Sequence, residues 1–229
     1  WRSRTDEKTV KKYDRFVVLT HEDKSYWGNL PNIQVIPNAL TCSAGPPAPL
    51  NNKKAIAIGR YSHQKGFDYL IDAWAMVHHS RPEWTLDIIG DGEWLNRLQR
   101  QIDHHKLNHC IRLKSATSRI DDEYRQASLF VMSSRYEGLP MVLLEAQSFG
   151  LPIVSFACKC GPEDVITEGE DGLLVPEENV PALANSILKL MKDEDLRKRM
   201  GKTALRNSYR FMEPVIMREW EKLFDSLTV

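Results

Sequence analysis

Eight short runs of β-branched and aliphatic residues recur along the chain, most of them separated by enough sequence for a helix. They are FVVL (16–19), IQVI (33–36), AIAIG (55–59), TLDIIG (85–90), CIRL (110–113), LFVMS (129–133), PIVSF (152–156) and LLV (173–175). Their apolar character is continuous rather than alternating, which suits strands buried on both faces of a parallel sheet. The segment after AIAIG places Phe67, Leu70, Ile71, Trp74 and Val77 at helical spacing, the inner stripe of an amphipathic helix. Further helices are expected over about 93–105, 121–127, 140–149, 162–168, 181–191, 194–208 and 214–226. Strand and helix alternating in this way specify an α/β fold, a Rossmann-like doubly wound parallel sheet.

The alternation breaks once. Residues 41–54, TCSAGPPAPLNNKK, carry three prolines, a glycine and two asparagines without periodicity, and read as a linker. Residues 55–229 hold enough strands for a complete domain. Residues 1–40 offer two strands and room for two helices, too little to bury both faces of a sheet. They are expected to be the last portion of a truncated N-terminal domain, with the final helix of the chain packing back toward it.

Composition bounds the partners. A chain of 229 residues, 42% hydrophobic and 27% charged, is of ordinary soluble globular type. Its 31 basic and 31 acidic residues cancel, so no overall bias toward nucleic acid exists. The start is locally basic: Arg2, Arg4, Lys8, Lys11, Lys12 and Arg15 face only Asp6, Glu7 and Asp14. A solvated face is the plain reading, and peripheral contact with a membrane or an acidic partner is the other. No apolar run approaches the roughly 18 residues that span a bilayer, and no signal-peptide pattern is visible, so a cytoplasmic protein is expected. Cys42, Cys110, Cys158 and Cys160 are expected to be reduced structural thiols, because no second pair joins the lone C-x-C at zinc-site spacing. His78–His79 and His104–His105 fall on expected helices and read as surface residues.

Chemistry concentrates where strands end, since ligands of open parallel sheets bind beyond their carboxyl ends. The loop GRYSHQKGF (59–67) turns at Gly59, carries the cations Arg60 and Lys65, and reaches the next helix through Gly66. Cations beside helix-terminal amides make an anion site. The second loop, in SSRYEGLPMVLLEAQSFGLP (133–152), places Pro140 in the first turn of a helix, so that the amides of Leu139, Met141 and Val142 face the strand ends. Glu137 precedes that helix start. Glu145 lies about five residues inside, roughly 7 Å along, with its side chain tilted back toward the N-terminus. Two hydroxyl-binding carboxylates would flank an anion site. A nucleotide sugar, with diphosphate between sugar and ribose, has the matching form.

At these residues the chain resembles the retaining GT-B glycosyltransferases of family 4, the glycosyl transferase group 1 type. Glu137 and Glu145 resemble that family's E-x7-E motif, and GRYSHQKG its G-R-x4-K-G phosphate loop; IIGDGE (88–93) and GPEDVITEGEDGLLVPEEN (161–179) are similar to its other recurring segments. The resemblance runs continuously over 55–229 and more faintly through VVLT and VIPNAL. It implies the C-terminal, donor-binding half of a GT-B fold, preceded by the remnant of a truncated N-terminal acceptor domain. By that likeness Arg60 and Lys65 would stabilise the leaving diphosphate with no metal or other cofactor, and Glu137 would contact the donor sugar. Glu145 would take the ribose hydroxyls, and the amides of Gly138, Leu139 and Met141, on either side of Pro140, the sugar and phosphate. The base of a UDP-sugar, or of a GDP-sugar, would lie near Ala116 to Ile120. The acceptor, a saccharide or lipid-linked hydroxyl, would come through the missing domain. The chain departs from the family at Lys114–Ser115, where glycine is usual, and at Cys158-Lys-Cys160. The family's N-terminal glycine-rich loop and catalytic histidine have no counterpart, and His21 stands in the wrong place to serve. A non-catalytic nucleotide-sugar-binding module, or a GT-B epimerase or phosphorylase, are the rival readings.

Overall fold

The computed structural model describes residues 4–28, 30–41 and 45–227, with side chains from residue 7 onward. Arg2, Cys42 and the side chains of Arg4 and Asp6 lie outside the described residues. In chain order the elements are α1 (Arg4–Val10), β1 (Phe16–Val18), α2 (His21–Tyr26), β2 (Ile33–Val35), β3 (Lys54–Ile58), α3 (Phe67–His78), β4 (Thr85–Ile89), α4 (Leu95–His104), β5 (Ile111–Lys114) and α5 (Ile120–Gln126). They continue as β6 (Leu129–Met132), α6 (Met141–Ser148), β7 (Ile153–Phe156), α7 (Pro162–Val165), β8 (Gly172–Val175), α8 (Val180–Lys192), α9 (Glu194–Ser208) and α10 (Glu213–Asp225).

Strands β3 to β8 form one six-stranded sheet in the order β5-β4-β3-β6-β7-β8, and every pair in it is parallel. The chain builds outward from β3 to β5, then returns to the other side of β3 to lay down β6. Strand order therefore reverses between β3 and β6, and the loops leaving these two neighbours open side by side. The apolar stripe expected on α3 is buried as read: Phe67, Leu70, Ile71, Trp74 and Val77 all lie inside. Side chains buried this fully contribute about 1.5–3 kcal/mol each. Helix α3 packs against α4 and α8, while α6 packs against β6 and β7 and against α9.

The expected helix over 162–168 closes after one turn, at Val165. Asp171 explains the early stop: its buried carboxylate accepts from the Thr167 amide at 2.8 Å and from Asn207 at 2.7 Å, folding 166–171 into a turn. The stretch 41–54 is less free than its composition implies. Lys54 is already strand, Ala48 and Leu50 are buried, and the Ala48 amide donates to the Phe149 carbonyl at 2.8 Å.

Strands β1 and β2 pair in parallel as a separate two-stranded sheet. One side is filled by Val10, Val18, Leu30 and Ile33. A second small cluster joins Ile36 to Ile216 and Leu223 of α10, with Val17 and Trp220 packed against it. The last helix thus covers apolar surface that the first forty residues cannot cover alone.

Candidate donor-binding site

The loop after β3 turns through a short 3-10 segment, His63–Lys65, into Gly66, whose backbone is left-handed at φ 59° and ψ 28°. A side chain there would start 2.0 Å from the Ser133 carbonyl oxygen. Glycine is what lets this loop touch the loop after β6. Gly59 serves the same closeness differently, since a Cβ on it would meet the aliphatic stem of Lys65 at 3.2 Å.

Polar contacts then lace the two loops together. The Ser133 hydroxyl donates to the Lys65 carbonyl at 3.1 Å, the Arg135 amide to the Gln64 carbonyl at 2.8 Å, and the Gln64 side chain to the Tyr136 carbonyl at 3.0 Å. Arg135 grips Asp68 through both terminal nitrogens, at 3.0 and 2.7 Å, reaches the His63 carbonyl at 2.7 Å, and lies over the Tyr69 ring. The Asp68 carboxylate is the main reason this guanidinium holds its proton more firmly than usual, against the opposing pull of burial.

This lacing brings Lys65 onto Glu137, Nζ to Oε1 at 2.7 Å, with the two side chains 19% and 7% exposed. The buried Ser134 hydroxyl donates to the same oxygen at 2.6 Å. Glu137 is therefore held through Oε1, and Oε2 has no partner among the described residues. Glu145 repeats the arrangement. Tyr124 of α5 donates to its Oε2 at 2.6 Å, and the Tyr124 ring is fixed by stacking on Phe149, with centroids 5.0 Å apart and planes 8° from parallel. Each carboxylate is tied down by one oxygen and presents the other.

Between them begins α6. Pro140 is its N-cap rather than its first helical residue, and no side chain caps the turn. The amide of Leu143 bonds to the Pro140 carbonyl, whereas those of Gly138, Leu139, Met141 and Val142 have no acceptor among the described residues. Nothing lies within 4 Å of where a Gly138 side chain would begin, so the space before these amides is open. The opposite wall is an open cleft of about 460 Å³ lined by Arg60, Lys65, Glu93 and Tyr136 among others. Arg60 is exposed and makes no ion pair with the described residues.

The expected base-binding residues stand farther out. Ala116 is exposed beyond the end of β5, its amide donating to Asp91 at 3.1 Å, and Ile120 opens α5 half-buried. Tyr61, fully buried, sits beneath them with its hydroxyl 2.8 Å from the Ile88 carbonyl and 2.7 Å from that of Lys114, donating to one at a time. Burial is the main cause that raises the pKa of its phenol and keeps it neutral.

The Cys158-Lys-Cys160 segment backs the Glu137 loop, the Glu137 amide donating to the Lys159 carbonyl at 2.9 Å. Among the described residues Cys110, Cys158 and Cys160 form no disulfide with one another. The reading of the histidines needs correction. His79 and His104 are exposed, but His78 is half-buried against His109, and His105 is paired with Asp72 at 2.8 Å. Sequence reading also missed Tyr124, Ser134, Arg135 and Asp68. None belongs to a charged pair or motif visible along the chain. A serine three residues and an arginine two residues before Glu137, and an aspartate two residues past Gly66, are the signals that were there.

A doubly wound parallel sheet with paired carboxylates around an uncapped helix start at its switch point has the architecture of one α/β domain of the GT-B glycosyltransferase fold. The chain belongs to the glycosyl transferases group 1 family, whose model matches residues 43–207. It is 36% identical over 220 residues to an exopolysaccharide phosphotransferase of Streptomyces coelicolor, covering 93% of this chain and 23% of that protein. It is 33% identical over 223 residues to the amylovoran biosynthesis glycosyltransferase AmsD of Erwinia amylovora, covering 93% of this chain and 62% of AmsD. Among solved structures, a Staphylococcus aureus TarM mutant in complex with fondaparinux, alpha-GlcNAc-glycerol and UDP superposes with a TM-score of 0.85 at 26% identity, over 96% of this chain and 46% of that one. The chain thus spans from under a quarter to under two thirds of these three proteins. Among the described residues no helix is long and apolar enough to cross a membrane.

Proposed function

We propose that this chain carries the donor site of a retaining glycosyltransferase that moves a sugar from a nucleoside diphosphate onto a hydroxyl of a saccharide or lipid-linked acceptor in surface polysaccharide synthesis. The observation that carries the reading is the pair of anchored carboxylates, Glu137 and Glu145, on either side of the free amides that open α6. In this reading Arg60 and Lys65 neutralise the departing diphosphate, and the α6 amides add partial positive charge where negative charge develops. Glu137 accepts from sugar hydroxyls through Oε2, Glu145 accepts from the ribose, and the base rests near Ala116 to Ile120. Two cations and a helix start supply the charge that a divalent metal would otherwise bring. UDP is favoured over GDP because a relative of similar fold was solved with UDP.

Residues 1–40 are read as the end of an N-terminal acceptor domain, 41–54 as the connection, and 55–229 as the donor domain. Transfer needs donor and acceptor held in contact, and such proximity contributes roughly 7–11 kcal/mol of barrier reduction. This chain by itself should therefore bind nucleotide without appreciable transfer.

Calorimetric titration with UDP, GDP and UDP-sugars in EDTA tests the reading. Saturable binding of one nucleoside diphosphate, unchanged by chelation, is expected. Binding that disappears with EDTA would overturn the metal-free site, and no binding of either nucleotide would overturn the donor site itself.

A further inference from the structure

We propose that His78, His109 and Cys110 form a metal site for a zinc-class ion, at the edge of the sheet opposite the nucleotide loops and independent of the function read above. His78 is the last residue of α3, and His109 and Cys110 immediately precede β5. Helix α3 starts at the donor loops, so twelve residues put its end about 18 Å away. One ligand atom from each of the three residues lies within 4.8 Å of the other two. Two imidazoles and a thiolate are the nitrogen and sulfur donors that borderline ions such as Zn²⁺ select.

Two details fit a metal better than a packed core. The His78 and His109 Nε2 atoms face each other at 2.7 Å, so both lone pairs point at one spot, and in the metal-free chain one ring must donate to the other. Tetrahedral zinc at about 2.0–2.1 Å from each nitrogen would set them about 3.3 Å apart. A small swing of His109, which is exposed, provides that. His78 Nδ1 is buried without a partner, so the polar contact of this ring runs through Nε2, the atom that faces His109. On binding, Cys110 releases its proton to solvent, exchanging a long 3.4 Å contact with the Leu107 carbonyl for a metal–sulfur bond. The fourth position would hold water.

The test is titration of the chelator-stripped chain with Zn²⁺ against a chromophoric competitor, and with Co²⁺ followed by absorption. One equivalent per chain is expected, with a thiolate-to-cobalt charge-transfer band in the near ultraviolet. His109→Ala, an exposed position that leaves the core intact, should weaken Zn²⁺ binding at least tenfold. Cys110→Ser should abolish the band, and His79→Ala should change neither. Substoichiometric binding, a cobalt complex without the thiolate band, or affinity unchanged in His109→Ala would each overturn the site.

Discussion

Lys65 and Glu137 pair with each other, and this sets two affinities in opposition. A diphosphate must draw Lys65 from its carboxylate, whereas a donor sugar needs that carboxylate in place. Glu137→Gln should therefore leave plain UDP binding unchanged or strengthened, and remove the gain from an attached sugar, about 1–3 kcal/mol. Glu145→Gln, which loses the acceptor opposite the Tyr124 tether, should weaken UDP itself by a similar amount. Parallel titrations of both variants with UDP and a UDP-sugar decide this, and the reverse pattern would exchange the two roles. Cys158 yields a second expectation. Burial foremost, then the nearby Glu137 and Glu177, push its thiol up to about 12 from an ordinary 9.0. Stability from keeping it neutral is complete below pH 9 and is lost as pH rises toward 12. In the folded chain at pH 8, mass-mapped alkylation should find Cys158 protected, reacting only in denaturant.

At the scale of elements, the site depends on the contact between the loops leaving β3 and β6. Gly66→Ala would put a methyl group against the Ser133 carbonyl at a left-handed backbone position. Strain of this kind costs on the order of 1–3 kcal/mol. Chemical denaturation should show that loss, and nucleotide affinity should fall with it because Lys65 rides on the displaced loop. Arg135→Ala unties the same loops from the other side. It leaves the Asp68 carboxylate, 14% exposed, without its bidentate partner. A destabilisation of about 1–3 kcal/mol is expected, together with weaker UDP binding. Arg135→Lys should recover little of either, since an ammonium cannot reproduce the fork. Full recovery by lysine would show that charge alone, not the two-pronged geometry, holds the loops.

At the scale of the whole molecule, the first forty residues meet the rest through a reciprocal clasp. Asp164 accepts from the His21 and Glu22 amides at 2.7 and 3.3 Å, capping α2, and Glu22 accepts in turn from the Cys160 amide at 2.9 Å. Asp164→Ala should remove about 1 kcal/mol of capping. Amide exchange should quicken across α2 while UDP affinity holds; no change in exchange would show that α10 packing alone keeps this segment in place. Much of the architecture was legible in the residues. The apolar runs and the α3 stripe carry their own periodicity, so strands and helices emerged within a residue or two of their positions, except α7, which ends three residues earlier than expected, and the order of elements implied a parallel sheet. Gly59, Lys65, Gly66, Glu137 and Glu145 were legible because charges and glycines at strand ends have few structural uses. Only the tertiary structure decided that Lys65 closes on Glu137, that Tyr124 tethers Glu145, that Arg135 bolts two loops 72 residues apart in sequence, and that His78 meets His109. The reason is physical. Periodicity records which face of an element is buried, whereas these pairings arise from the reversal of strand order at β3 and β6 and from the packing of helices on the sheet, which bring distant residues within hydrogen-bond reach without leaving any spacing along the chain.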